Sequence, residues 1–238
     1  MVVDSEFFIG LFFSILDFAS FTLLSLSIYR IPILLYWKRL VAIQVVFITV
    51  MLLHDYLLMT RNYYALVIAG TAIILSTVLL RIPLLYSALI WGTGYLVNSL
   101  IQLFFIVAIT ATRIVTLEQL QTVPLLRNLS QLAIFMLNMV LVYYIEKKRL
   151  GFMFIMNRFR IQKRKLQMKD IFIAALFICT VSLVQFGIVS FQRNDMNQYL
   201  LVVLVAMFVI SIVGLYITYR FNIQEINERF NSLRGKKN

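Results

Sequence analysis

The chain has 238 residues, of which 62% are hydrophobic and only 13% are charged, and its mean hydropathy is +0.91. These values exclude an ordinary water-soluble domain, which averages about 45–50% apolar and about 25% charged residues. The net charge of +12 has no functional meaning until the charged residues are placed relative to the apolar segments.

Those apolar segments are about as long as a helix needs to be to cross a bilayer, roughly 17–25 residues. We therefore predict an all-α fold, a polytopic integral membrane bundle that occupies residues 1–219 and is followed by a cytoplasmic segment, 220–238. The seven predicted transmembrane helices are 7–29, 40–58, 63–80, 84–109, 129–145, 171–191 and 199–219.

The first predicted span, 7–29, is expected to be retained. The residues before it include Asp4 and Glu6, whereas a signal peptide begins with basic residues. Asp17 lies near the centre of this span. An ionised carboxylate at that depth costs roughly 2.5–3.5 kcal/mol on insertion scales, so we expect Asp17 to face the bundle interior, where it finds donors or stays neutral.

The sequence Arg-Ile-Pro occurs twice, at 30–32 and at 81–83, each time between two apolar segments. Proline lacks an N–H and disfavours helical geometry in the residue before it, so each copy predicts a helix end and a turn. The flanking sequences, SLSIYRIPILLYW and LSTVLLRIPLLYS, fit two related hairpins. They also fit the small set of turn sequences that membrane proteins share.

Polar residues inside the predicted spans define a candidate ligand pocket. By depth, four of them can meet in the outer half of the bundle: Asp17, His54, Asn98 and Gln102. Further candidates for burial are Gln44, Asn138 and Gln185. Two interpretations are open, a polar floor to a ligand pocket that opens outward and an interhelical hydrogen-bond network that holds the bundle together.

The longest polar stretch, 146–170, alternates basic with apolar residues. This pattern is typical of a segment that lies in the headgroup plane of anionic lipids. It indicates either a lipid-sensing or partner-docking element or a solvated loop with an amphipathic anchor. The residues that we expect to make lipid or partner contacts are Arg158, Arg160, Lys163, Arg164 and Lys165.

The last predicted span continues without Pro or Gly into a polar stretch that ends near residue 233. Apolar residues recur there at spacings of three, four and three, which are the a and d positions of a short coiled coil. The stretch is either a signalling helix with a dimer seam or an amphipathic tail. The seam positions are Ile223, Ile226, Phe230 and Leu233.

Basic residues fall almost entirely on one side of the predicted membrane. By the positive-inside rule that side is the cytoplasm, which places the N-terminus outside and the C-terminus inside. This side holds 18 of the 22 basic residues: Arg30, Lys38, Arg39, Arg81, Lys147, Lys148, Arg149, Arg158, Arg160, Lys163, Arg164, Lys165, Lys169, Arg220, Arg229, Arg234, Lys236 and Lys237.

Several chemistries lack the residues that they require. One histidine and one cysteine, His54 and Cys179, provide no metal-ligand cluster of the usual types, and there is no HExxH, Walker or GxGxxG motif. We therefore expect no enzymatic activity, no cofactor and no metal. No aromatic-interleaved basic fold accompanies the charge, so we expect no nucleic-acid partner.

Three features carry a family resemblance. They are the order of the seven spans, the helix that continues beyond the last span, and the turn at 30–32 followed by Tyr36, Trp37 and Lys38. Over about residues 1–233 they resemble the N-terminal membrane sensor region of Gram-positive receptor histidine kinases of the Agr/Com, GHKL-ATPase type. The resemblance implies a receptor for an extracellular or membrane signal. This sequence lacks that family's phosphoacceptor histidine and kinase domain, so it implies a sensor that acts through a separate kinase, a regulator or a part of a longer receptor.

Two functions of other classes also fit the sequence. One is a transport component that binds a small substrate or docks an ATPase subunit, and the other is a structural membrane scaffold. In each case we expect a multi-pass protein of the cell membrane. Its expected partners are anionic lipids and either a kinase, an ATPase subunit or a second copy of the chain.

Overall fold

The computed structural model describes residues 5–57, 64–112 and 115–152, together with helical positions, singly or in runs of two or three, between residues 205 and 227. The three continuous ranges contain helices and no strand. In chain order the helices are α1 (Ser5–Ile28), α2 (Ile33–Leu57), α3 (Tyr64–Leu79), α4 (Leu84–Ala111), α5 (Leu117–Thr122) and α6 (Pro124–Lys147).

Four of these helices, α1, α2, α4 and α6, are long and apolar enough to cross a membrane. Helix α3 is equally apolar but has 16 described residues. These five helices coincide with the first five predicted spans, so the prediction of an all-helical, membrane-type fold is confirmed for this part of the chain.

Other predictions lie outside the described residues. They concern the span 171–191 and the basic segment from residue 153 onward. In the predicted span 199–219, the described positions, which begin at 205, are helical. Ile223 is helical and exposed. The individual residues outside the described ranges are Arg158, Arg160, Lys163, Arg164, Lys165, Ile226, Phe230 and Leu233.

The structure differs from the predicted boundaries in three places. Helix α6 begins at Pro124, five residues before the predicted span 129–145. Helix α2 begins at Ile33, seven residues before the predicted span, because Pro32 is compatible with the start of a helix and nothing in the sequence ILLYWKR interrupts one. Helix α5 has no counterpart among the predicted spans. It begins with a capping box, in which Thr116 and Gln119 satisfy each other's backbone N–H groups.

Helix α1 is the central element, since α6, α4 and α2 all pack against it. Its carboxyl-terminal half is almost wholly buried, with Leu24, Leu26 and Tyr29 at the centre of one apolar cluster. Nearer its middle, an aromatic cluster joins α1 to α2 and α4. The rings in that cluster are Phe18, Phe21, Phe47 and Trp91.

Both Arg-Ile-Pro sequences end a helix, as predicted. In each, the isoleucine is buried, Ile31 and Ile82 lying in the same apolar cluster. In each, the arginine has a left-handed backbone, with φ of 52° at Arg30 and 58° at Arg81. We call the end of the bundle that holds both turns the turn end.

The carboxyl end of α6 repeats this geometry at the turn end, where Arg149 has φ of 51°. Its N–H donates to the carbonyl of Glu146, and the next N–H, of Leu150, donates to the carbonyl of Ile145. This pair of bonds is the Schellman motif, which satisfies carbonyl groups at a helix end. The N–H groups of residues 30 and 31 make the same pair of bonds at the end of α1.

The outer surface of the described bundle is apolar. Leu34 is 89% exposed and Phe104 is 77% exposed. Similar side chains cover the outside of α2, α4 and α6, among them Val41, Val45, Leu137 and Val140. Contiguous apolar patches of this kind mark surfaces that face lipid or a partner rather than water.

Gly94 marks a close approach of α4 to α1. A Cβ at this position would lie 2.6 Å from the Cβ of Ser25 and 3.0 Å from its Cα. Beside it, the hydroxyl of Thr93 donates to the phenol oxygen of Tyr29 at 2.9 Å. The two helix backbones can therefore approach this closely only because position 94 has no side chain.

Gly94→Ala is expected to lower the free energy of unfolding by about 1–3 kcal/mol, the usual effect of overpacking. Unfolding of the purified chain in detergent micelles, followed by helicity, measures the change. Gly70→Ala is the control, because a Cβ there meets nothing within 4 Å. Adding Ser25→Gly to Gly94→Ala should recover part of the loss, and equal effects of the two alanine variants would contradict the close contact.

Candidate functional site

Three helices meet at a buried polar cluster, which we define as Asp17, Ser20, Asn98 and Asn138. The amide nitrogen of Asn138, on α6, donates to the side-chain oxygen of Asn98, on α4, at 2.8 Å. It also donates to the hydroxyl of Ser20, on α1, at 3.0 Å. That hydroxyl in turn donates to the backbone carbonyl of Asp17 at 2.8 Å.

Two acceptors in this cluster lack a donor. The buried oxygen Oδ1 of Asp17 and that of Asn138 have no hydrogen-bond partner among the described residues. The Asn138 amide nitrogen donates to two acceptors, and the resulting orientation of the amide leaves its Oδ1 without a donor among the described residues. Buried polar atoms normally find partners, and these two oxygens can therefore accept bonds from a group that enters the cluster.

An aromatic wall lies next to Asp17. Phe21, one helical turn further along α1, packs edge to face against Tyr95 of α4, with ring centroids 5.8 Å apart. Tyr95 lies three residues, about one helical turn, before Asn98 on α4. The cluster is thus bounded by α1 and α4 on this side and by α6 on the other.

The structure brings together two of the four predicted pocket residues, Asp17 and Asn98. Gln102 lies one turn beyond Asn98 on α4 and is partly buried, without a hydrogen bond to the cluster in the described part of the chain. His54 is helical and lies in α2, and its side chain is not among those described. Gln44 binds elsewhere, since its Nε2 donates to the backbone carbonyl of Ile15 at 3.0 Å.

Asn138 has the central role, which the depth argument did not assign to it. Its side chain is 0% exposed and makes both interhelical bonds of the cluster. Ser20, also fully buried, was not predicted at all. A signal for Asn138 is present in the sequence, because it is the only amide residue in the apolar stretch 132–145 of α6.

A second set of contacts joins α1 and α6 at the turn end, and we call it the α1–α6 lock. The N–H of Phe152 donates to the carbonyl of Ile28 at 2.8 Å, and the Nε of Arg30 donates to the carbonyl of Leu150 at 3.2 Å. Gly151 has φ of 115°, and a Cβ there would lie 2.6 Å from the Ile28 oxygen. Only glycine fits this position.

The donor set of the cluster limits its chemistry. No group of three or more His, Cys, Asp or Glu residues suitable for a metal occurs among the described residues. What the cluster offers is hydrogen-bond acceptors, one of them a carboxyl oxygen, beside aromatic rings. Such a set suits a small ligand with hydroxyl or ammonium donors and an apolar body.

No family model, no curated protein and no solved structure matches this chain.

A double-mutant cycle tests whether the cluster holds the helices together. We expect Asn98→Ala and Asn138→Ala to show a coupling energy of about 0.6 kcal/mol, with an upper range of about 1.7, as found for hydrogen bonds between membrane helices. Unfolding in detergent micelles measures each variant.

The control pair is Asn98→Ala with Asn128→Ala. Asn128 is also buried on α6, but it lies ten residues before Asn138, or about 15 Å along the helix. Effects at that separation should add within about 0.3–0.5 kcal/mol. If the 98–138 pair is equally additive, the amide bond between them does not stabilise the bundle.

Proposed function

We propose that the chain is a signal-receiving module of the cell membrane, in which the polar cluster detects a ligand and the α1–α6 pair transmits its binding to a partner at the turn end. One observation carries this proposal. The cluster and the α1–α6 lock are two contact sites on the same pair of helices, and this pair has the most extensive packing of the described elements.

The apolar outer surface supports the membrane location. Leu34, Val45 and Phe104 face outward, and four helices have the length and hydropathy of spans. The positive-inside rule assigns the turn end to the cytoplasm, because Arg30, Arg81 and Arg149 are all there. On this assignment, seven spans place the N-terminus outside and the C-terminus inside.

The position of the cluster suits detection from within the bundle. Asp17 lies eleven residues before the end of α1, which is about 16 Å from the turn end at 1.5 Å per residue. This depth is near the middle of a hydrocarbon core of about 30 Å. A ligand would enter from the outer side or from the lipid.

Transmission requires that a ligand favour one arrangement of α1 and α6 over another. The two oxygens without donors, on Asp17 and Asn138, belong to different helices of the pair. A ligand that donates to both would draw α6 toward α1 at this depth. This movement would change the hydrogen bonds of the lock, which lies at the turn end of the same pair of helices.

The lock also lies within the segment that we expect to contact a partner. Gly151 and Phe152 belong to the stretch 146–170, after its first basic residues, 147–149, and before the next one at 158. A change in the bonds to Ile28 and Leu150 would alter where this stretch leaves the bundle. We propose a histidine kinase or another cytoplasmic signalling protein as the partner.

A crosslinking experiment tests the transmission. Ser27 and Glu146 lie on either side of the lock, with Oγ and Oε1 3.4 Å apart, so cysteines at both positions, in a Cys179→Ser background, should form a disulfide in membranes. We expect Asn138→Ala to change the oxidation rate roughly fivefold, the lower end of typical coupling between sites.

Thr49→Ala is the control in the same background, because Thr49 bonds only within its own helix. An unchanged rate in the Asn138 variant, with the chain still folded by its unfolding curve, would contradict transmission between the cluster and the lock.

Partner capture distinguishes the receptor from its rivals. We expect a tagged full chain, extracted from native membranes in mild detergent, to retain a histidine kinase or response regulator. Gly151→Ala should reduce that retention severalfold, because it disrupts the lock. Gly10→Ala should not, because a Cβ there meets nothing within 4 Å. Retention of an ATPase subunit instead would favour transport and contradict the receptor.

A further inference from the structure

A groove separate from the polar cluster lies at the turn end, between the start of α2 and the turn that joins α3 to α4. Its volume is about 450 Å³. Two arginines, one tyrosine and two leucines form its walls: Leu35, Tyr36, Arg39, Leu80 and Arg81.

Arg39 and Arg81 contribute the two guanidinium groups that line the groove. Arg39 packs over the ring of Tyr36 at 5.6 Å. Within the described residues, neither Arg39 nor Arg81 has an acidic partner. The acidic residue Glu146 is also at this end, but it lies on α6 and its carboxyl accepts a hydrogen bond from the Ser27 hydroxyl. Two positive charges, neither of them paired with an acidic group that the structure describes, therefore share one concave surface.

The backbone around the groove adds to its positive potential. Helix α4 begins at Leu84, three residues after Arg81, and its first turn has no side-chain cap. Leu35 and Tyr36 belong to the first turn of α2. The amino ends of helices carry partial positive charge and free N–H groups, which favour anions.

The two Arg-Ile-Pro turns differ in what their arginines do. The Arg30 side chain is partly buried and donates to Leu150 as part of the α1–α6 lock. The Arg81 side chain is exposed and lines the groove. The two arginines have similar φ values. The first turn uses its arginine side chain to hold the chain, whereas the second turn directs the same group into a groove.

We infer that this groove binds a phosphate group, with Arg39 and Arg81 as its ligands. Guanidinium groups form paired hydrogen bonds to phosphate oxygens. Basic pockets between membrane helices on the cytoplasmic side accept lipid headgroups. The groove would also fit a free phosphate, and the chemistry of recognition is the same for both.

The surroundings of the groove favour a lipid as the source of the phosphate. Leu35, which lines the groove, and Leu84, three residues after Arg81, are both more than half exposed. Acyl chains would lie against these side chains while the headgroup reaches the two arginines. Trp37 also has the amphipathic ring that is enriched at membrane interfaces.

Native mass spectrometry of the full chain in detergent tests the inference. The probes are short-chain phosphatidylglycerol, short-chain phosphatidylcholine and inorganic phosphate. We expect Arg39→Gln with Arg81→Gln to weaken phosphatidylglycerol binding roughly tenfold or more, since each lost charge-assisted bond is large on this scale. Lys38→Gln with Arg127→Gln is the control, because it removes two exposed charges that do not line the groove.

Three outcomes are informative. Loss of phosphatidylglycerol in the arginine variant alone, without competition from inorganic phosphate, supports the site and assigns a lipid. If inorganic phosphate binds as well as phosphatidylglycerol and competes with it, the result supports the site and assigns a free anion. Equal loss in both double variants, or loss in neither, overturns the inference. If the glutamine variant fails to fold, Arg39→Lys with Arg81→Lys takes its place. This variant keeps the two charges but not the paired donors, and it should bind phosphatidylglycerol severalfold more weakly than the unmodified chain.

Discussion

The amide of Asn138 sets the arrangement of the described bundle. It is fully buried and bonds to α1 and α4 at once, and in an apolar medium no water competes for those bonds. Apolar side chains tolerate a shift along a neighbouring helix, whereas a hydrogen bond of 2.8 Å does not. The amide therefore fixes the relative depth of α1, α4 and α6, and the close contacts nearer the turn end depend on that depth.

Helix α1 meets its two principal neighbours in different ways. Against α4 the contact is rigid, because Gly94 lies against the backbone of Ser25 and the Thr93 hydroxyl bonds to Tyr29. Against α6 the polar contacts are concentrated at the cluster and at the lock. A perturbation of the cluster would therefore act on the same pair of helices that the lock joins. This difference gives the α1–α6 pair its place in the proposed signalling mechanism.

The sequence predicts the helices well and their facing residues poorly, for one physical reason. Long apolar runs and the two Arg-Ile-Pro sequences are sufficient to locate α1 to α4. The outward side chains, such as Leu34 and Phe104, are as apolar as the buried ones, so no amphipathic periodicity shows which face points inward. Depth alone placed Asp17 and Asn98 together, but the rotation of α6 that brings Asn138 between them could not be predicted.

The left-handed arginines at the turn end connect topology with binding. Glycine is the usual residue in this conformation, and Arg30, Arg81 and Arg149 each adopt it without the steric freedom of glycine. The helix dipole stabilises a positive side chain at the carboxyl end of a helix. An arginine side chain is also long enough to reach beyond the turn. Arg30 uses that reach to bond to Leu150, whereas Arg81 directs it into the groove. The residues that the positive-inside rule uses to orient the chain thus also supply one contact of the lock and one wall of the proposed phosphate site.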